Sequence, residues 1–147
     1  MDIRAITPDY AVSPQIELSD LPAIKAAGYV MVIDNRPDGE IPPPLHTAEM
    51  RKAAEALGLA FVANPVIGGQ MTMENVTAQG AAIAAASGPV FAYCASGNRS
   101  SIVWALSIHT VTAFLIATMP ARPMWFHSMM PIRFITTAFA AGPCLII

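Results

Sequence analysis

Three short apolar runs constrain the fold of this chain more than any other feature: Tyr29-Val30-Met31-Val32-Ile33, Leu59-Ala60-Phe61-Val62-Ala63 and Pro89-Val90-Phe91-Ala92-Tyr93. None alternates polar with apolar residues, as expected of strands covered on both faces. Between them lie stretches with helix signals. Ser19 is placed to cap a helix through Leu21, Ile24 and Ala27 that ends at Gly28, and Thr47 to cap one from Ala48 to Leu57 before Gly58. Thr72 opens a long Ala-rich helix through Val76, Ile83 and Ala86, closed by Ser87-Gly88. Tyr10-Ala11-Val12 adds one more short strand. Strands alternating with helices imply an α/β fold with a mainly parallel sheet flanked by helices. A length of 147 residues suits a single domain, 1–147.

In such sheets ligands collect beyond the carboxyl ends of the strands. The run ending at Tyr93 leads into Cys94-Ala95-Ser96-Gly97-Asn98-Arg99-Ser100-Ser101, and Ile102-Val103-Trp104-Ala105-Leu106 continues as a helix expected to begin at Ser100 or Ser101. Small residues and Gly97 allow successive backbone N–H groups to converge on an anion, and the positive end of the helix points the same way. Arg99 adds a planar, permanently charged fork that suits two oxygens of a phosphate or similar group. The field that holds an anion also favours thiolate over thiol, so Cys94 is expected to be a nucleophile at neutral pH. The Ser100 hydroxyl is placed to donate to that sulfur. Ala95, Ser96, Gly97, Asn98, Arg99 and Ser100 would together line the substrate oxyanion, which is expected to be a small oxyanion or a phosphorylated compound.

Composition narrows the alternatives. The net charge of -2 lacks the basic footprint of a nucleic-acid binder. Two cysteines and three scattered histidines, His46, His109 and His127, make neither a disulfide framework nor a zinc set, so no metal and no cofactor is expected. Cys144 reads as a buried small hydrophobe, and Trp104 and the methionines as packing residues. Met1-Asp2-Ile3-Arg4 does not read as a secretory signal, which favours a cytoplasmic setting.

All ten acidic residues lie at or before Glu74, and beyond it only Arg99, Arg122 and Arg133 carry formal charge. Three readings of this stretch stand open: an apolar subdomain, a membrane-entering segment, or a tail foreign to the domain, as after a reading-frame shift. Ile102 to Met119, 18 residues, reaches the lower limit of a spanning helix, about 17–25 residues. Four hydroxyl residues and overlap with the helix of the cysteine loop favour burial over a membrane. Residues 107–147, broken by Pro120, Pro123, Pro131 and Pro143, are expected to form an atypical C-terminal segment, poorly packed or covered by a second copy in a homo-oligomer.

The order strand-Cys-x-x-Gly-x-Arg-Ser-helix, preceded by Asp34-Asn35-Arg36-Pro37-Asp38-Gly39-Glu40, resembles the bacterial phosphatase-like domain found alone or fused to metallo-β-lactamase-like sulfur dioxygenases. The resemblance covers roughly residues 3 to 106. It implies the fold of dual-specificity and tyrosine phosphatases, also described as rhodanese-like, with Cys94 as nucleophile, Arg99 as oxyanion-binding arginine, and a metallo-β-lactamase-like partner.

This sequence departs from tyrosine phosphatases in three ways. Four residues rather than five separate Cys94 from Arg99, which is the spacing of rhodanese loops. Tyr93 stands where a histidine usually precedes the cysteine. Asn64-Pro65-Val66-Ile67-Gly68-Gly69 offers no general-acid aspartate, leaving Asp38 as the nearest substitute. Asp38 also suits a Pro-Asp-Gly turn, and Arg36 is expected to pair with Asp34 or Glu40. Three functions therefore stay open: phosphatase-like hydrolysis through a phosphocysteine, which the overall resemblance favours; sulfur transfer through a Cys94 persulfide, which the spacing favours; and oxyanion or phosphoprotein binding without turnover.

Overall fold

The computed structural model describes residues 1–118, with side chains to residue 109. The expectations for Cys144 and His127, and for most of the segment 107–147, lie outside the described residues. Five strands, β1 (Arg4–Thr7), β2 (Tyr10–Ser13), β3 (Met31–Asp34), β4 (Ala60–Ala63) and β5 (Val90–Tyr93), form one sheet in the order β1-β2-β5-β3-β4. β2, β5, β3 and β4 run parallel; β1 is antiparallel to β2 along one edge. Four helices accompany them: α1 (Leu21–Ala26), α2 (Thr47–Ala56), α3 (Met73–Ala85) and α4 (Asn98–Thr118). The α/β architecture with a mainly parallel sheet is thus observed.

Successive strand residues point to opposite faces, and both faces are covered. Val32, Phe61, Phe91 and Tyr93 meet Leu21 and Ile24 of α1 and Met50 and Ala54 of α2. Met31, Ile33, Val90 and Ala92 meet Ala82 and Ile83 of α3 and Trp104 of α4. This two-sided burial is complete for the central strands β3 and β5, whose sequences are correspondingly apolar runs. Each large side chain as fully enclosed as Phe91 contributes about 1.5–3 kcal/mol relative to exposure.

The register brings the parallel strands to a common end: Tyr93 lies opposite both Ser13 and Asp34, and Asp34 opposite Ala63. The loops that follow Ser13, Asp34, Ala63 and Tyr93 therefore gather along one rim of the sheet.

Three local expectations are corrected. Ser19 does not cap α1: a 3₁₀ turn, Leu18–Asp20, precedes that helix, and Asp20 accepts from the Glu17 amide and stands at the helix N-cap. Thr47 is the first residue of α2 rather than its cap. Its amide is taken at 2.7 Å by the carboxylate of Asp38, nine residues earlier. The helix after the cysteine loop starts at Asn98, earlier than the serines. The cap at Thr72 is as expected, with Asn75 completing a reciprocal pair.

Candidate active site

Cys94 follows β5 directly and is fully enclosed, whereas Ala95, Ser96 and Asn98 form an exposed rim. The loop turns at Gly97, whose φ of +90° lies in the region that side-chain-bearing residues avoid. A Cβ there would also meet the Arg4 guanidinium at 3.4 Å and the Ser13 backbone at 3.5 Å. The turn sends the Gly97 amide back to the sulfur at 3.1 Å. Burial pushes the Cys94 thiol up, but the amides of Ser100, Ser96 and Gly97 and the Ser100 hydroxyl outweigh it and hold the group below the ordinary thiol value. The buried Ser100 hydroxyl makes no hydrogen bond of its own within ordinary geometry, and its effect is felt at the Cys94 sulfur.

The start of α4 is fixed from two sides. The Ser101 amide and hydroxyl both donate to the Gly97 carbonyl at 3.0 Å. From β2, the Tyr10 hydroxyl donates to the Ser100 carbonyl at 3.2 Å and accepts from Gln79 of α3 at 2.9 Å, and its ring stacks on Trp104. Gln79 belongs to a buried amide cluster. Asn35 donates to the Asn64 carbonyl and to the Gln79 side-chain oxygen, and Asn64 donates to that same oxygen at 2.8 Å. This cluster ties the loops after β3 and β4, through Gln79 and Tyr10, to the first turn of α4.

Arg99 projects from the first turn of α4 and is gripped by Glu40, with Nη1 on Oε1 at 2.8 Å and Nη2 on Oε2 at 2.6 Å. Nη1 also donates to the Val66 carbonyl at 2.6 Å. The hydrogen bonds that Arg99 gives to Glu40, then the charges of Glu40 and Cys94, raise the Arg99 pKa further against burial, and the same arginine holds the Glu40 carboxyl below the usual range. Arg36 pairs with Glu40 as the sequence suggests, at 3.5 Å from Nε to Oε2. With Asp34 the contact is made by the Arg36 backbone amide, which donates to Oδ1 at 2.8 Å.

Asp38 takes a different place from the proton donor considered for it. Its Oδ1 accepts from the Thr47 amide at 2.7 Å and from the Thr47 hydroxyl at 2.9 Å. The Thr47 amide is the main cause of a carboxyl pKa below the ordinary value, so the group is ionised at neutral pH. That geometry is a helix cap. Asp34, at the end of β3, is the opposite case: burial pushes its carboxyl up against the hydrogen bonds from the Arg36 amide and the Thr47 hydroxyl. Among the described residues, no three His, Cys, Asp or Glu side chains come together as metal ligands, and no helix is long and apolar enough to cross a membrane.

Of the residues singled out from sequence, Cys94, Ser96, Gly97, Arg99 and Ser100 are brought around one sulfur. Glu40, Gln79, Asn35 and Asn64 were missed as contributors. Glu40 lay inside the quoted Asp34–Glu40 segment, but nothing local in that segment points 59 residues ahead to Arg99.

The family model for "Beta-lactamase hydrolase-like protein, phosphatase-like domain" matches residues 2–111. The chain is 34% identical over 95 residues to a beta-lactamase hydrolase-like protein of Agrobacterium fabrum, covering 65% of this chain and 22% of that one. It is 38% identical over 108 residues to a protein of the same description from Xylella fastidiosa, covering 73% and 25%. It thus spans about a quarter of the length of the curated relatives it matches. Among solved structures, a candidate phosphatase from Neisseria meningitidis superposes with a TM-score of 0.63 and 27% identity, over 79% of this chain and 78% of that one.

Proposed function

Since this chain belongs to the phosphatase-like domain family of the beta-lactamase hydrolase-like proteins, we propose that it hydrolyses phosphate monoesters through a phosphocysteine on Cys94. The observation that carries this reading is the Cys94 sulfur, which accepts from the Gly97 amide, is held below the ordinary thiol value by the loop, and lies beside the Arg99 guanidinium. The thiolate attacks phosphorus, the P–S bond forms, and the ester P–O bond breaks with its electron pair leaving on the alcohol oxygen. Water then attacks the phosphocysteine, releasing phosphate and returning the thiolate. Arg99 and the loop amides stabilise the charge that builds on the equatorial oxygens in both steps. The Ser100 hydroxyl donates to the departing sulfur in the second step.

No carboxyl is assigned as the acid for the leaving oxygen, because Asp38 is held ionised by Thr47. General acid catalysis is typically worth about 10²–10⁴-fold, so aryl phosphates with acidic leaving groups are the expected substrates and alkyl phosphates should lag by about that factor.

A second reading, sulfur transfer through a Cys94 persulfide, is favoured by the four residues between Cys94 and Arg99 and needs no proton donor for an alkoxide. One pair of assays separates the two: p-nitrophenyl phosphate, and thiosulfate with cyanide, each with the parent and with Cys94→Ser. Phosphate release abolished by the substitution supports the phosphatase. Thiocyanate formation abolished by it supports sulfur transfer, and silence in both with retained tungstate binding supports a non-catalytic oxyanion binder. By family analogy, a metallo-β-lactamase-like domain is the proposed functional partner.

A further inference from the structure

We propose that Glu40, braced by Arg36, is a positioning residue that sets which edge of the Arg99 guanidinium meets the oxyanion. The proposal rests on the cysteine-arginine reading above and extends it to two side chains outside the loop.

Donor counting carries the argument. A guanidinium has five N–H groups in a fixed planar fork. Nη1 of Arg99 gives one to Glu40 Oε1 and one to the Val66 carbonyl, and Nη2 gives one to Glu40 Oε2. What remains is Nε–H and the second Nη2–H, which lie side by side on one edge. The Cys94 sulfur is among the groups that stabilise the guanidinium, so the arginine and the nucleophile are neighbours. Two parallel N–H groups beside a thiolate are what two oxygens of an attacked phosphate require. Because Glu40 occupies the adjoining Nη1–Nη2 edge, it leaves the Nε–Nη2 edge open and aims the arginine rather than blocking it.

The carboxylate is itself held in place. Arg36 Nη2 donates to the Glu40 backbone carbonyl at 3.1 Å while Nε lies 3.5 Å from Oε2. Arg36 Nη1 donates to Gln15 Oε1 at 3.2 Å, and the Gln15 amide donates to the Ala95 carbonyl at 3.4 Å, back in the cysteine loop. Ala95, Gln15, Arg36, Glu40 and Arg99 thus form a chain of contacts that begins and ends in the cysteine loop. A free arginine would have to be fixed in this geometry at each encounter with substrate.

The test uses the full chain with Glu40→Gln, Arg36→Lys, Arg99→Ala and the double variant Glu40→Gln/Arg99→Ala. Tungstate affinity by calorimetry reads the aim of Arg99 without turnover, and p-nitrophenyl phosphate kinetics read kcat and KM. Glu40→Gln should weaken tungstate at least about tenfold and lower kcat by more than it raises KM. Arg36→Lys should do the same by a smaller factor, about threefold, and it keeps the proposal testable if Glu40→Gln does not fold. In the Arg99→Ala background, Glu40→Gln should change tungstate affinity by less than about twofold, since its target is gone.

Tungstate bound equally well or more tightly by Glu40→Gln would overturn the proposal, because the carboxylate would then be idle or a competitor for Arg99. An equal loss with and without Arg99 would overturn it too, marking a general loosening of the loop. If the parent binds tungstate in this Glu40-dependent way but cleaves no phosphate ester, the catalytic reading fails and the positioning role stands.

Discussion

Gly97 illustrates how much of the site depends on a single backbone conformation. Its φ of +90° turns the loop amide toward the sulfur, and the space a Cβ would need is bordered by Arg4 and the Ser13 backbone. Gly97→Ala should therefore cost about 1–3 kcal/mol in chemical denaturation. It should also weaken tungstate binding more than a surface substitution of equal stability cost. Unchanged affinity would mean that the amide nest does not depend on this residue. The glycine was legible in the sequence because the chemistry of an anion nest demands one between Cys94 and Arg99. The neighbours that make it irreplaceable were not, since Arg4 comes from an edge strand that forms only by pairing with β2.

At the scale of elements, α2 shows where sequence signals mislead. Thr47 has the side chain of a cap, yet its amide donates to a cap supplied by Asp38, and its one hydroxyl proton is shared between Asp38 at 2.9 Å and Asp34 at 3.2 Å. Asp38 is thereby committed to anchoring the loop that carries Glu40. Asp38→Asn keeps an acceptor for the Thr47 amide but can carry no acid proton. Its aryl phosphatase rate should stay within about threefold of the parent, whereas a fall of about 10²-fold or more would identify Asp38 as the missing general acid. Asp38→Ala should cost about 0.5–2 kcal/mol at neutral pH as a lost cap. The sign of the pH dependence follows from the lowered folded pKa: the advantage of the parent over Asp38→Ala is present above the ordinary carboxylate value and fades as pH falls through the folded one. Denaturation of the two proteins across that range checks it. Strands β3 and β5 were legible to within two residues because both of their faces are buried, which makes them almost wholly apolar up to Asp34 and Tyr93; β4, on the far edge, was legible from its apolar run although only Phe61 in it is buried. β1 was missed because it is an exposed edge strand whose four residues, Arg4 to Thr7, carry no such pattern.

For the whole molecule, the parallel register does the assembling. Four strands end level, four loops converge, and residues distant in sequence meet: Gln15, Arg36, Glu40, Val66 and Arg99 around a cysteine at position 94. Cys94, Arg99 and the helix behind them were readable because they are contiguous. The brace across Glu40 and the amide cluster of Asn35, Asn64 and Gln79 were not, because pairings between separate loops leave no periodic trace in a single sequence. The claim on which the rest depends is that this convergence keeps Cys94 ionised at an oxyanion site. Alkylation by iodoacetamide as a function of pH, with and without tungstate, tests it most directly. An ionised Cys94 at this site should show a midpoint clearly below the free-cysteine value of about 8.5, with tungstate slowing the reaction. A midpoint at or above that value, indifferent to tungstate, would contradict it.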